Sequence, residues 1–71
     1  MDRLSVRSKN LSSVGYDEET SILEIEFNSG SIYQFNGVPL YIYTSLLYAG
    51  SKGTYFDRNI RKRGYSYRQV W

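Results

Sequence analysis

Residues 21–35, SILEIEFNSGSIYQF, hold two alternating runs separated by a turn. Leu23, Ile25 and Phe27 alternate with Glu24 and Glu26, which in an extended chain places the apolar side chains on one face and the carboxylates on the other. Asn28-Ser29-Gly30 supplies residues tolerant of positive φ, and Tyr33 and Phe35 resume the apolar alternation. The stretch predicts an antiparallel hairpin with one dry face. That face has to be covered by the rest of the chain.

The flanking segments supply the cover. Val14 and Tyr16 alternate ahead of the acidic turn Asp17-Glu18-Glu19-Thr20, predicting a further strand, and RLSVRS at residues 3–8 is a candidate edge. After Asn36-Gly37-Val38 the period changes. Pro39 suits the first turn of a helix, and Gly50 is placed to close it in the left-handed conformation. Leu40, Tyr43, Leu46 and Leu47 fall on one side at helical spacing and are assigned to the core. Tyr41, Thr44, Ser45 and Tyr48 fall on the other, which makes Tyr41 and Tyr48 candidates for self-association or for cover by the C-terminal tail. A second helix is expected from Ser51, acting as N-cap through its hydroxyl, to about Arg61, with Gly53, Phe56 and Ile60 toward the sheet. The tail GYSYRQVW is read as a last strand or an extended arm. The expected architecture is α+β: a small antiparallel sheet of three to four strands with two short helices packed on one face.

At 71 residues one compact domain, residues 1–71, is expected. The chain has no Cys and no His, so it has neither disulfides nor the usual zinc ligands, and no metal or other cofactor is expected. Aromatics, eight of them Tyr, form 17% of the residues and offset the small size by burying large rings. No apolar run is long enough to span a bilayer and Met1-Asp2-Arg3 leads into no signal-peptide core, so a cytoplasmic protein without membrane contact is expected.

Charge is distributed unevenly. Residues 1–50 carry three Lys/Arg against six Asp/Glu, and residues 51–71 carry six against one. A basic C-terminal third is an electrostatic footprint for phosphate. At Gly50-Ser51-Lys52-Gly53 a helix start would bring free N–H groups, a hydroxyl and an ammonium to one point. The long glycine-rich stretch of a Walker loop is absent, so nucleotide hydrolysis is not implied. The competing reading is that Gly50 and Gly53 permit a tight helix corner. Along the second helix Tyr55, Asn59 and Lys62 share a stripe with Lys52 at its start, and Arg58 and Arg61 lie further round. A ring for stacking, an amide and cations suit a base with its phosphate, although Lys and Arg near a helix C-terminus also complement its dipole. Tyr33 is weighed between core and ligand contact, and Ser8 and Asn10 between turn formation and hydrogen bonding to a ligand.

Catalysis has little to work with. Ser51-Lys52 is the one adjacent nucleophile–base pair, and neighbours on a helix do not face each other. Glu24 and Glu26 share a strand face and could serve a cation or acid–base work, but are expected to be solvated.

The ordered set S-x-N-L-x-x-x-G-Y-D, L-E-I-E-F-x-x-G-x-I-Y-x-F, G-V-P and S-K-G-x-Y-F-x-x-N-I-R resembles the KTSC domain, a unit of this size found at the C-terminus of some lysyl-tRNA synthetases. The resemblance covers residues 5–70. The family usually shows Tyr-x-Tyr in the central strand, whereas this chain has Tyr33 and Phe35. The resemblance implies a free-standing bacterial or phage copy and, through the synthetase association, RNA binding.

The sequence thus predicts a non-catalytic module for RNA or a small nucleotide, such as a signalling nucleotide sequestered by a phage. Its expected ligand residues are Ser51, Lys52, Gly53, Tyr55, Arg58, Asn59, Arg61, Lys62 and Tyr33. A homo-oligomer built on Tyr41 and Tyr48 would complete a pocket too large for one copy. The alternative is a protein-interaction module that uses the same Tyr-rich surface.

Overall fold

A computed structural model describes residues 1–71. Its elements in chain order are β1 (Leu4–Ser5), β2 (Leu11–Asp17), β3 (Ile22–Phe27), β4 (Ile32–Phe35), α1 (Leu40–Tyr48), α2 (Lys52–Asn59), a 3-10 turn (Arg61–Arg63) and β5 (Tyr67–Gln69). All strand pairs are antiparallel and the spatial order is the chain order, β1 to β5. The fold is α+β, but the sheet has five strands, not three or four. Both segments with little alternation of their own, residues 3–8 and the tail, pair at the two edges. Two-residue and three-residue strands carry too short a pattern to be read without a partner.

The β3–β4 hairpin forms as its alternation requires, with Leu23 opposite Phe35 and Ile25 opposite Tyr33. Gly30 takes φ 94° in the turn, where a Cβ would be strained. In β2 the register slips between Leu11 and Ser13. This bulge lets Leu11 and Val14, three residues apart, both enter the core, which strict alternation forbids.

The dry face carries Leu11, Val14, Leu23, Ile25 and Phe35, met by Val38, Ile42, Leu46, Phe56 and Ile60 from the helical layer. Burying such side chains contributes about 1.5–3 kcal/mol each. The α1 face differs from the expected one. Leu40 is 45% exposed, while Ile42 and Leu46, four residues apart, are buried; Tyr43 and Leu47 flank them as half-buried neighbours. The helix is rotated toward Ile42 by the stack of Tyr43 on Tyr16, with centroids 5.4 Å apart. The Tyr16 hydroxyl donates to the Val38 carbonyl and fixes that corner.

Helix ends also depart from expectation. α1 closes at Ala49, whose N–H donates to the Leu46 carbonyl, and Gly50 is not left-handed. The left-handed glycine at a helix end is Gly64, at φ 80°, which ends the 3-10 turn. α2 stops at Asn59, before Arg61, because Ile60 leaves helical geometry to reach the core. Ser51 is the N-cap residue without a side-chain cap; its hydroxyl donates to Thr54 Oγ1 at 2.9 Å.

The second sheet face is polar and internally satisfied. Glu24 is 6% exposed and accepts from Arg3 and, at 2.7 Å, from Gln34, which itself accepts from Arg68. Arg3 Nε donates to Ser13 Oγ, and Ser13 donates to Glu26, each at 2.8 Å. Glu24 is therefore buried, where a solvated strand residue was expected. The N-terminal segment crosses Gly15, where a Cβ would lie 2.4 Å from the Asp2 carbonyl oxygen, so only glycine admits the crossing.

Candidate nucleic-acid interface

Two helices of nine and eight residues do not cover a five-stranded sheet. α1 packs over β2, and α2 sits beside it with Phe56 edge-on to Phe27 and Phe35, at centroid distances of 5.4 and 5.5 Å. The dry face at β4 and β5 is left open. The result is a groove of about 1140 Å³ with a floor of Phe27, Tyr33, Phe35, Phe56 and Tyr67. One wall is Gly53, Thr54, Asp57 and Arg58 of α2, continued by Arg61 and Lys62. The other is Lys9 and Asn10 with Asn28, Ser29 and Ser31 of the hairpin turn.

Register explains the floor. Tyr67 lies opposite Phe35 and Gln69 opposite Tyr33, so the β5 ring extends the aromatic row of β4. Tyr67 is 62% exposed. Its centroid is 5.8 Å from that of Tyr33, with the rings tilted by 49°, and the Tyr33 hydroxyl donates to Gln69 Oε1 at 3.2 Å.

Four cations line the groove against one carboxylate. Asp57 pairs with Arg61 and, at 3.3 Å, with Lys62. The Arg61 hydrogen bond holds the Asp57 carboxyl below its usual range; desolvation opposes this, and Lys62 adds to the lowering. Arg58 and Lys9 are exposed and form no ion pair. The excess charge is available for an anion.

Of the residues singled out from the sequence, Gly53, Arg58, Arg61, Lys62 and Tyr33 meet in this groove, and Ser51, Lys52, Tyr55 and Asn59 do not line it. The Lys52 ammonium donates to the Ala49 carbonyl at 3.1 Å and ties the α1–α2 corner. Gly53 has a packing role as well: a Cβ there would come 3.0 Å from Asn10 Nδ2. Tyr55 is half-buried against the core, and Asn59 donates to its carbonyl at 3.1 Å. With Phe56 buried, the helix has two flanks, and Tyr55 lies on the one away from the groove. The open sheet end lies on the Asp57–Arg58 flank.

Asn10, weighed between a turn and a ligand contact, lines the groove, and Tyr67, Phe27, Lys9 and Thr54 line it without having been singled out. The signal for Tyr67 was its place in the tail, provided the tail pairs with β4. Ser8 keeps its turn role, accepting from the Asn10 and Leu11 amides at 3.3 and 3.4 Å. Tyr41 and Tyr48, 67% and 85% exposed, stay outside the site, and the tail does not cover them because it pairs with β4. Glu24 and Glu26 are engaged by Arg3, Gln34 and Ser13. Burial pushes the Glu24 carboxyl up, but the hydrogen bonds from Gln34 and Arg3 and the Arg3 charge outweigh it and hold the group below its ordinary value.

An uncharacterised protein of Stutzerimonas stutzeri is 39% identical over 70 residues, 99% of each chain. Lysine–tRNA ligases of Trichormus variabilis and a Nostoc species are 40% and 42% identical over 55 residues, 78% of this chain and 10% of theirs, so the chain spans a tenth of those ligases' length. The crystal structure of a KTSC domain protein from Yersinia pestis superimposes with a TM-score of 0.92 at 36% identity, covering 99% of this chain and 97% of that one. Residues 7–65 match the KTSC domain, and the chain belongs to that family.

Proposed function

We propose that this KTSC domain is a non-catalytic module that binds nucleic acid or a nucleotide in the groove between α2 and β4–β5. The carrying observation is the juxtaposition of the half-buried Tyr33 ring and the exposed Tyr67 ring with a wall of Arg58, Arg61 and Lys62. A base stacks on an aromatic face while its phosphate meets a cation, and a stack contributes about 1–3 kcal/mol per base. The similarity to segments of lysine–tRNA ligases, proteins whose substrate is an RNA, supports the reading. Ser51 and Lys52 make separate hydrogen bonds, to Thr54 and Ala49, and so do not form a nucleophile–base pair. The setting is cytoplasmic, and the same chemistry would let a bacterial or phage copy sequester a signalling nucleotide.

Anisotropy titration of labelled single-stranded RNA and of nucleotides tests this. Wild type binds at low salt and weakens as salt rises. Arg58→Glu with Arg61→Glu abolishes binding and leaves the fold intact. Full binding by that variant removes the site from the groove.

A second reading has its own observation. Leu40, Tyr41 and Tyr48 are exposed on or beside α1, away from the groove, and a patch of this kind suits self-association or a protein partner. Tyr41→Ser with Tyr48→Ser would then lower the mass in sedimentation without changing ligand affinity.

A further inference from the structure

Resting on the groove reading, we infer that the ligand is a short single-stranded run of nucleic acid presenting at least two adjacent bases, not one enclosed nucleotide. The two available rings carry the argument. Tyr33 and Tyr67 are inclined to each other by 49° at a centroid distance of 5.8 Å, and a planar base parallel to one ring cannot lie flat on the other. Two platforms therefore take two bases, with a turn of the strand between them.

Size and shape agree. Pockets that enclose small molecules occupy about 300–1,000 Å³ and bury most of the ligand. This groove is about 1140 Å³ and open, so a mononucleotide would leave one platform and much of the cationic wall in water. The charges are spread to match. Arg58 on α2 and the Arg61–Lys62 pair on the 3-10 turn beyond Ile60 line the groove together with Lys9 from the loop before β2. A series of cations along a groove beside stacking rings follows a sugar–phosphate backbone.

The test is competition of unlabelled uridine and thymidine oligonucleotides of one, two, three, four and six residues against a labelled hexamer, together with cyclic dinucleotides and a duplex. The expected result is an affinity rise of about ten-fold or more between one and three nucleotides in either series, with the duplex weaker than its single strand. A slope of log K on log salt of about −1.4 or steeper is expected, as two phosphate contacts require. Tyr67→Ser lowers hexamer affinity by about five-fold or more and changes mononucleotide affinity less. If a mononucleotide or a cyclic dinucleotide binds as tightly as the hexamer, this inference fails and the groove reading stands. If the folded protein binds none of these at low salt, the groove reading itself fails.

Discussion

Arg3 and Arg58 lie on opposite sides of the same five-stranded sheet. Arg3 donates to Glu24 and Ser13, Glu24 accepts also from Gln34, and Gln34 from Arg68, so the outer face closes its own hydrogen bonds from one edge of the sheet to the other. Arg58 has no carboxylate partner and stands over a floor of five aromatic rings. A cation whose partner is supplied by the fold holds the fold together. A cation left over beside exposed rings is free for a ligand, and only the second kind marks a site.

The largest disturbance to this division comes from the ring that joins α2 to the sheet. Phe56→Ala removes the edge-on contacts with Phe27 and Phe35 and costs about 3–5 kcal/mol in urea unfolding. Both the helical cover and the groove wall loosen with it. On the outer face, Glu24→Ala strands Arg3 and Gln34 and costs about 1–3 kcal/mol, while oligonucleotide affinity stays at the wild-type value. The same residue gives a smaller, pH-dependent effect. Its carboxyl is held below its ordinary value in the folded state, so the stabilisation is present above the ordinary glutamate range and is lost as pH falls through the folded value. Thermal unfolding followed from neutral to acid pH shows that loss in wild type and less of it in Glu24→Ala. Smallest is Asp57→Asn. It releases Arg61 and Lys62 from their internal partner, so affinity rises and the log K–log salt slope steepens by about 0.7, one further single-strand phosphate contact. A weaker, flatter response would show that Asp57 positions the cations instead of competing for them.

What could be read from the residues divides along similar lines. The β3–β4 hairpin was legible because six-residue alternation with a glycine turn states its own register. The family resemblance was legible from ordered motifs, and family and structure agree with it. The edges of the sheet were legible only as candidates, residues 3–8 as an edge and the tail as a strand or an arm, because β1 and β5 are too short to show a period and exist through pairing. The α1 segment is apolar nearly all round, so its spacing points to Leu40 where the structure buries Ile42, and the Tyr16–Tyr43 stack, a contact across the chain, accompanies that rotation. At the site, the basic residues Arg58, Arg61 and Lys62 were visible as charge. Their neighbours Tyr67, Phe27 and Lys9 come from three distant segments that only the sheet brings together. Tyr55 shows the converse case: an aromatic beside a buried Phe56 on a short helix serves the core as readily as a ligand, and here it packs on the core outside the groove.

The most direct measurement is to follow the arginine Nε–H signals of the isotope-labelled protein while a short single-stranded oligonucleotide is added at low salt. Arg58 and Arg61 shift and saturate together with the backbone signals of Tyr33 and Tyr67, while Arg3 and the amides of Tyr41 and Tyr48 stay in place. Movement of Arg3, or saturation with Arg58 and Arg61 unmoved, would contradict the assignment of the open β4–β5 groove as the binding site.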